Sequence, residues 1–166
     1  MSQSTALYSS NVCSLVESRQ IYIFKTLIFG GLILSVERDT MINSLKHIVI
    51  PTLRERGFKG SFPHYHRKLE SQTDLLMFQF SQWGGILYVE ISKCPLNGST
   101  GYRDQQIPVN KIKVYQIVGN SFNDRYRIGE GFEFSVSVTE EVAKDIQKSL
   151  DKAEDWWKEH PNWWND

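Results

Sequence analysis

Apolar and polar positions alternate most cleanly from Leu75 to Ser92, LLMFQFSQWGGILYVEIS. Leu76, Phe78 and Phe80 share one side of the first run; Leu87, Val89 and Ile91 share one side of the second. A period of two in β-branched and aromatic residues marks strands that lay one face on a core. Gly84-Gly85 between the runs can take the positive φ of a tight turn. The pattern therefore predicts a central antiparallel hairpin.

Upstream, Ile42, Leu45, Ile48, Val49 and Leu53 recur at three-to-four spacing, which predicts a helix capped by Asp39 or Thr40. Pro51 should kink or break it, and Gly57 should close it with Phe58 packing back. A turn at Gly60–Pro63 leads into a strand over His64–Leu69. Lys93 to Gln106 reads as a loop, Pro108–Val118 as a further strand, and Gly119 to Asp124 as another loop. Arg125–Gly129 is a short segment, and Phe132–Val138 alternates like a strand. Thr139 should cap a last helix with Val142, Ile146, Leu150, Ala153 and Trp157 along its apolar stripe, ended by His160-Pro161. Helix, antiparallel strands, helix is the α+β order: a sheet of about four to five strands flanked by an N-terminal and a C-terminal helix.

Residues 1–40 differ in character. The first twenty are polar and Ser-rich. Ile21 to Val36 is apolar but interrupted by Lys25 and Gly30-Gly31, and shorter than the ~20 residues of a membrane span. It lacks the form of a signal peptide. The expected organisation is an N-terminal extension over 1–40, from an upstream start ahead of Met41, and a single α+β domain over 41–166. An apolar membrane anchor at 21–36 and a packed element there are the competing readings.

Charge changes the picture locally rather than globally. The chain has 19 basic and 19 acidic residues, so no overall field selects nucleic acid or an anionic membrane. From Glu140 to Asp166 eight acids face four bases, whereas residues 41–139 hold twelve bases against eight acids. Cys13 and Cys94 belong to no Cys/His framework, which fits free thiols in a reducing compartment and a cytoplasmic location.

Four stretches carry a resemblance: Leu53-Arg-Glu-Arg-Gly57-Phe58-Lys59, the His66-Arg67 strand, Phe78-Gln79-Phe80-Ser81, and Arg125-Tyr126-Arg127-Ile128-Gly129. Over about residues 41–160 the chain resembles the bacterial proteins grouped as domain of unknown function 4304. The resemblance implies a small bacterial α+β domain and, since no activity is settled for that group, transfers no catalytic residue. Toxin-neutralising immunity proteins are often small domains of this sort, an analogy of fold and family alone.

Candidate chemistry is sparse. His64 and His66 share a strand face, yet Lys68 beside them and the absence of any HExxH or Cys/His spacing argue for a polar surface rather than a metal site. No serine sits in a nucleophile-elbow context, and nothing local activates Cys94. No cofactor is expected, and the reading leans away from an enzyme. Arg67, Arg125 and Arg127, with Lys111, Lys113 and the tyrosines Tyr126, Tyr115 and Tyr65, can form a basic aromatic surface. Such a surface suits an acidic protein partner, with nucleic acid the weaker reading for want of a coherent basic stripe. The candidate binding residues are thus Arg67, Arg125, Arg127, Tyr126, His64 and His66, and the expected function is a protein-interaction module. The alternative is a ligand-binding or enzymatic domain with a Phe- and Trp-lined pocket between the sheet and the C-terminal helix, gated by residues 95–106.

Overall fold

A computed structural model describes residues 36–100, 106–117, 125–160 and 162. The chain divides at Val36/Glu37, and the architecture below is that of the second unit, Glu37–Asp166. Residues 1–35, the loop from Gly119 to Asp124 and Trp163-Trp164 lie outside the described residues, and with them most of the expected extension.

The first helix, α1, is composite. Residues 37–44 are α-helical, Leu45–Val49 form a π turn, and Ile50–Glu55 resume α geometry. Helix already precedes Asp39 and Thr40, so neither caps it, contrary to the expectation from their type. Pro51 has no N–H to give and its ring crowds the carbonyl four residues back. The wider π turn just ahead of it, with Ile50 N–H bonded to the Leu45 carbonyl, lets the helix continue without a break. The same widening serves the core. Met41, Leu45, Val49 and Leu53 are all buried at steps of four. In regular α geometry each such step overshoots a full turn by about 40°, and a wider turn removes part of that drift. Gly57 (φ 88°) closes the helix: Phe58 N–H bonds Leu53 C=O at 2.9 Å and Gly57 N–H bonds Arg54 C=O at 3.0 Å, the two bonds of a Schellman cap.

The main sheet contains β1 (Lys59–Ser61), β2 (His64–Lys68), β3 (Thr73–Phe80), β4 (Ile86–Cys94) and β7 (Arg125–Arg127) in that order, all antiparallel. β8 (Phe132–Glu133) pairs with the other end of β4. Two short strands, β5 (Ser99–Thr100) and β6 (Gln106–Ile107), form a separate ribbon. The double-glycine hairpin is the centre of the sheet, with eight paired positions between β3 and β4 and both glycines at positive φ. The second helix, α2, spans Thr139–Glu159. This is the expected α+β fold.

Both faces of the sheet are covered. On the first, Tyr65, Leu76, Phe78, Leu87, Val89 and Ile91 meet the buried stripes of α1 and α2. The α2 stripe runs through Ala143 rather than Val142, which is half-buried. Thr139 is the first helical residue rather than the cap, and its Oγ1 accepts from Ser44 Oγ at 3.0 Å, tying α2 to α1. On the second face Leu75, Met77 and Cys94 pack under Ile112, Val114 and Ile117. Two expected strands differ. Of Pro108–Val118, the described residues 108–117 form a strap crossing this second face, with only a 3-10 turn at Val114–Gln116, and Phe132–Val138 keeps just two strand residues before the 3-10 turn Val136–Val138.

Candidate functional site

Strand register sorts the predicted site residues by face. Arg67 on β2 lies opposite Asp74 on β3, which lies opposite Lys93 on β4, and this row points to the helices. Arg67 spends all five N–H donors there. Nε and Nη2 donate to Asp74 Oδ2 at 3.0 and 2.7 Å, Nη1 and Nη2 to the two Glu154 carboxylate oxygens at 2.9 and 2.7 Å, and Nη1 to the Arg56 carbonyl at 3.3 Å. Its guanidinium also lies over the rings of Phe58 (4.6 Å) and Trp157 (5.3 Å). Gln72 Nε2 donates to Asp74 Oδ1 at 2.6 Å. Lys93 Nζ donates to the carbonyls of Trp157 and His160 at the C-terminus of α2, where the helix dipole favours a cation. Burial pushes the Asp74 carboxyl above its ordinary value against the pull of Arg67 and Gln72, and lowers the Lys93 ammonium. This cluster locks α2 onto the sheet; it leaves Arg67 no donor for a partner.

The next rows face the other way. His64, Met77, Glu90 and Arg127 align across four strands, as do His66, Leu75, Ser92 and Arg125. Four of the six predicted residues therefore belong to the second face of the sheet, with the side chain of Arg125 outside the described atoms. Arg127 Nη2 bonds Glu90 Oε1 at 2.8 Å and its guanidinium lies 3.9 Å from the Tyr88 ring centre, half in solvent. His64 packs edge-on to Tyr115 of the strap at 6.1 Å, and Lys113 Nζ sits 5.8 Å above the same ring. Both histidines are held below the ordinary imidazole value, first by burial and then by neighbouring cations: Lys113 for His64, Lys59 and Arg54 for His66. No carboxylate offsets these effects at either ring. This margin of the face is a positive field carrying an exposed tyrosine.

Tyr126 lies on the first face, at its far edge. It stacks on Trp156 (5.9 Å), which stacks on His160 (4.6 Å), so its ring serves to close the end of α2. Tyr65 is buried in the core. Between the sheet and α2, Phe58, Leu150, Ala153 and Trp157 are all buried against one another. Cys94 is buried and its thiol is pushed up to about 12, first by burial and then by the charge of Asp74, which makes it a poor nucleophile. Among the described residues no three His, Cys, Asp or Glu side chains are grouped to hold a metal, and no helix is long and apolar enough to cross a membrane.

Sequence reasoning missed Asp74, Gln72, Lys93 and Glu154 as a unit. A signal for Asp74 existed: the period of two that places Leu76 and Phe78 on the core side places Asp74 there as well.

The family described as a domain of unknown function, DUF4304, matches residues 49–160, from the π turn of α1 to the end of α2. The chain belongs to the DUF4304 family. No curated protein and no solved structure matches it significantly. The DUF4304 match takes in every strand of the main sheet and the whole Arg67–Asp74–Glu154 cluster.

Proposed function

We propose that this DUF4304 domain is a non-enzymatic protein-interaction module of the bacterial cytoplasm, and that its partner presents an acidic face to the exposed basic margin of the second side of the sheet. The reading rests chiefly on the electrostatics of His64 and His66, each depressed by cations alone once burial is counted. Two histidines without a facing carboxylate, beside Lys59 and Lys113 and with the half-exposed Arg127 at the far end of the His64 row, favour a surface that gains by meeting acids. Charge-assisted hydrogen bonds would set the register of the complex, and Tyr115 would supply buried area. Arg67 contributes at a distance, by fixing the helix and sheet that carry this face.

The test is capture from the native cell by the tagged domain and by its Lys113→Glu/Arg127→Glu variant. An acidic protein retained by the first, released by moderate salt and lost by the second supports the reading. Identical retention by both, or stronger salt-sensitive retention of nucleic acid than of protein, refutes it.

A further inference from the structure

β3 outruns its neighbour. β2 begins at His64, opposite Met77, so Phe78 to Phe80 extend past its end. Phe78 N–H bonds the Pro63 carbonyl at 3.0 Å, while Ser81 N–H bonds Ile86 across the hairpin at 2.9 Å. In an antiparallel strand the bonding direction alternates residue by residue. The N–H and C=O of Phe80 therefore point toward the side that β2 has vacated.

A groove of about 520 Å³ occupies that place, lined by Arg38, Phe62, Pro63, Met77, Phe80 and Tyr115. Its aromatic wall is braced: Phe62 stacks on Phe78 at 5.9 Å and tilts onto Phe80 at 6.4 Å, and Phe80 meets Phe134 edge-on at 5.6 Å. Cations stand beside two of its lining rings. The Arg38 guanidinium lies 5.0 Å from the Phe80 ring centre, and Lys113 stands over Tyr115 at the margin shared with the basic face. Among the described residues neither has a carboxylate partner.

We infer that this groove receives an extended segment of the acidic partner, with one bulky apolar side chain seated against Phe62, Phe80 and Tyr115 and carboxylates on either side reaching Arg38 and Lys113. The inference rests on the partner reading above and specifies what the partner must carry. An open trough beside a strand edge unpaired among the described residues suits a peptide, which bonds through its own backbone and places alternate side chains in the groove. A small ligand would instead be enclosed over most of its surface.

The experiment is an NMR titration of the isotope-labelled full chain with three end-capped pentapeptides: Glu-Asp-Trp-Glu-Asp, Glu-Asp-Ala-Glu-Asp and Lys-Lys-Trp-Lys-Lys. The first should shift the amides of Gln79, Phe80 and Tyr115, and the alanine peptide should bind about tenfold more weakly for loss of the buried ring. Arg38→Glu and Tyr115→Ala should each weaken the first peptide several-fold. Both sites are exposed, and unchanged circular dichroism melts would show that the fold is kept. Equal binding of the tryptophan and alanine peptides near Lys113 and His64 would overturn the groove while leaving the basic face standing. Binding of neither acidic peptide, or equal binding of the lysine peptide in the groove, would also overturn it; the capture experiment judges the partner reading separately.

Discussion

Arg67 shows how far a residue's type and its role can diverge. An arginine on a surface-patterned strand suggests a contact for a partner, yet its side chain is only 12% exposed and faces two carboxylates, one of them (Asp74) fully buried. Taking one member from such a set strands the others without water or partner, which typically costs about 3–5 kcal/mol. Arg67→Ala should therefore lower stability by about that amount, seen as an earlier midpoint in urea denaturation. Arg67→Lys should fall between, because a single ammonium cannot bond two carboxylates with a fixed fork. A midpoint unchanged in Arg67→Ala would mean that the cluster is dispensable and that Arg67 is free for other work. At this scale the sequence was partly readable. Strand parity alone put Asp74 inward, opposite Arg67, but the second carboxylate that Arg67 holds, Glu154, comes from a helix 87 residues further along the chain, and no local pattern links the two.

Among the elements, those that were legible combine a strong period with a specific turn residue. The β3–β4 hairpin and the Gly57 cap are of this kind, and each glycine there has the positive φ expected of it. Gly57→Ala should cost about 1–2 kcal/mol, the left-handed backbone penalty alone, since an added Cβ would come no closer than 3.7 Å to Arg67. Gly60→Ala should cost more, because a Cβ there would lie 2.6 Å from the His64 carbonyl and force β1 off β2. Thermal melts of the two variants check that order. Leu150→Ala, beneath α2, should cost about 2–5 kcal/mol through the cavity it leaves. The strap over residues 108–117 differs from the expected strand for a physical reason. Its alternate residues Ile112 and Val114 do face a core, but that core is the back of the sheet, and Pro108 and the 3-10 turn leave the strap no ladder. Period two reports which side is greasy; it does not report whether a neighbouring backbone is bonded.

For the molecule as a whole, a net charge of zero conceals a local field, and pH is the variable that exposes it. His64 and His66 have folded pKa values below the unfolded value of 6.5. Between the two values the unfolded chain binds more protons than the folded one, so the histidines' contribution to stability is complete above pH 6.5 and is lost as pH falls through the folded values. Asp74 acts with the opposite sign: its raised pKa favours the fold below 3.8 and loses that contribution as pH rises. Comparing the wild type with a His64→Gln/His66→Gln variant separates the two effects, because Asp74 is common to both. From about pH 7.5 to about pH 5.5 the wild-type melting temperature should fall more steeply than that of the double variant. Parallel curves would show that neither burial nor the neighbouring cations lower these imidazoles. The same protonation adds charge to the face proposed to meet an acidic partner. Over that range the complex should tighten as the free domain weakens, and a partner whose affinity falls on acidification by an amount the double variant abolishes would point to a basic rather than an acidic surface.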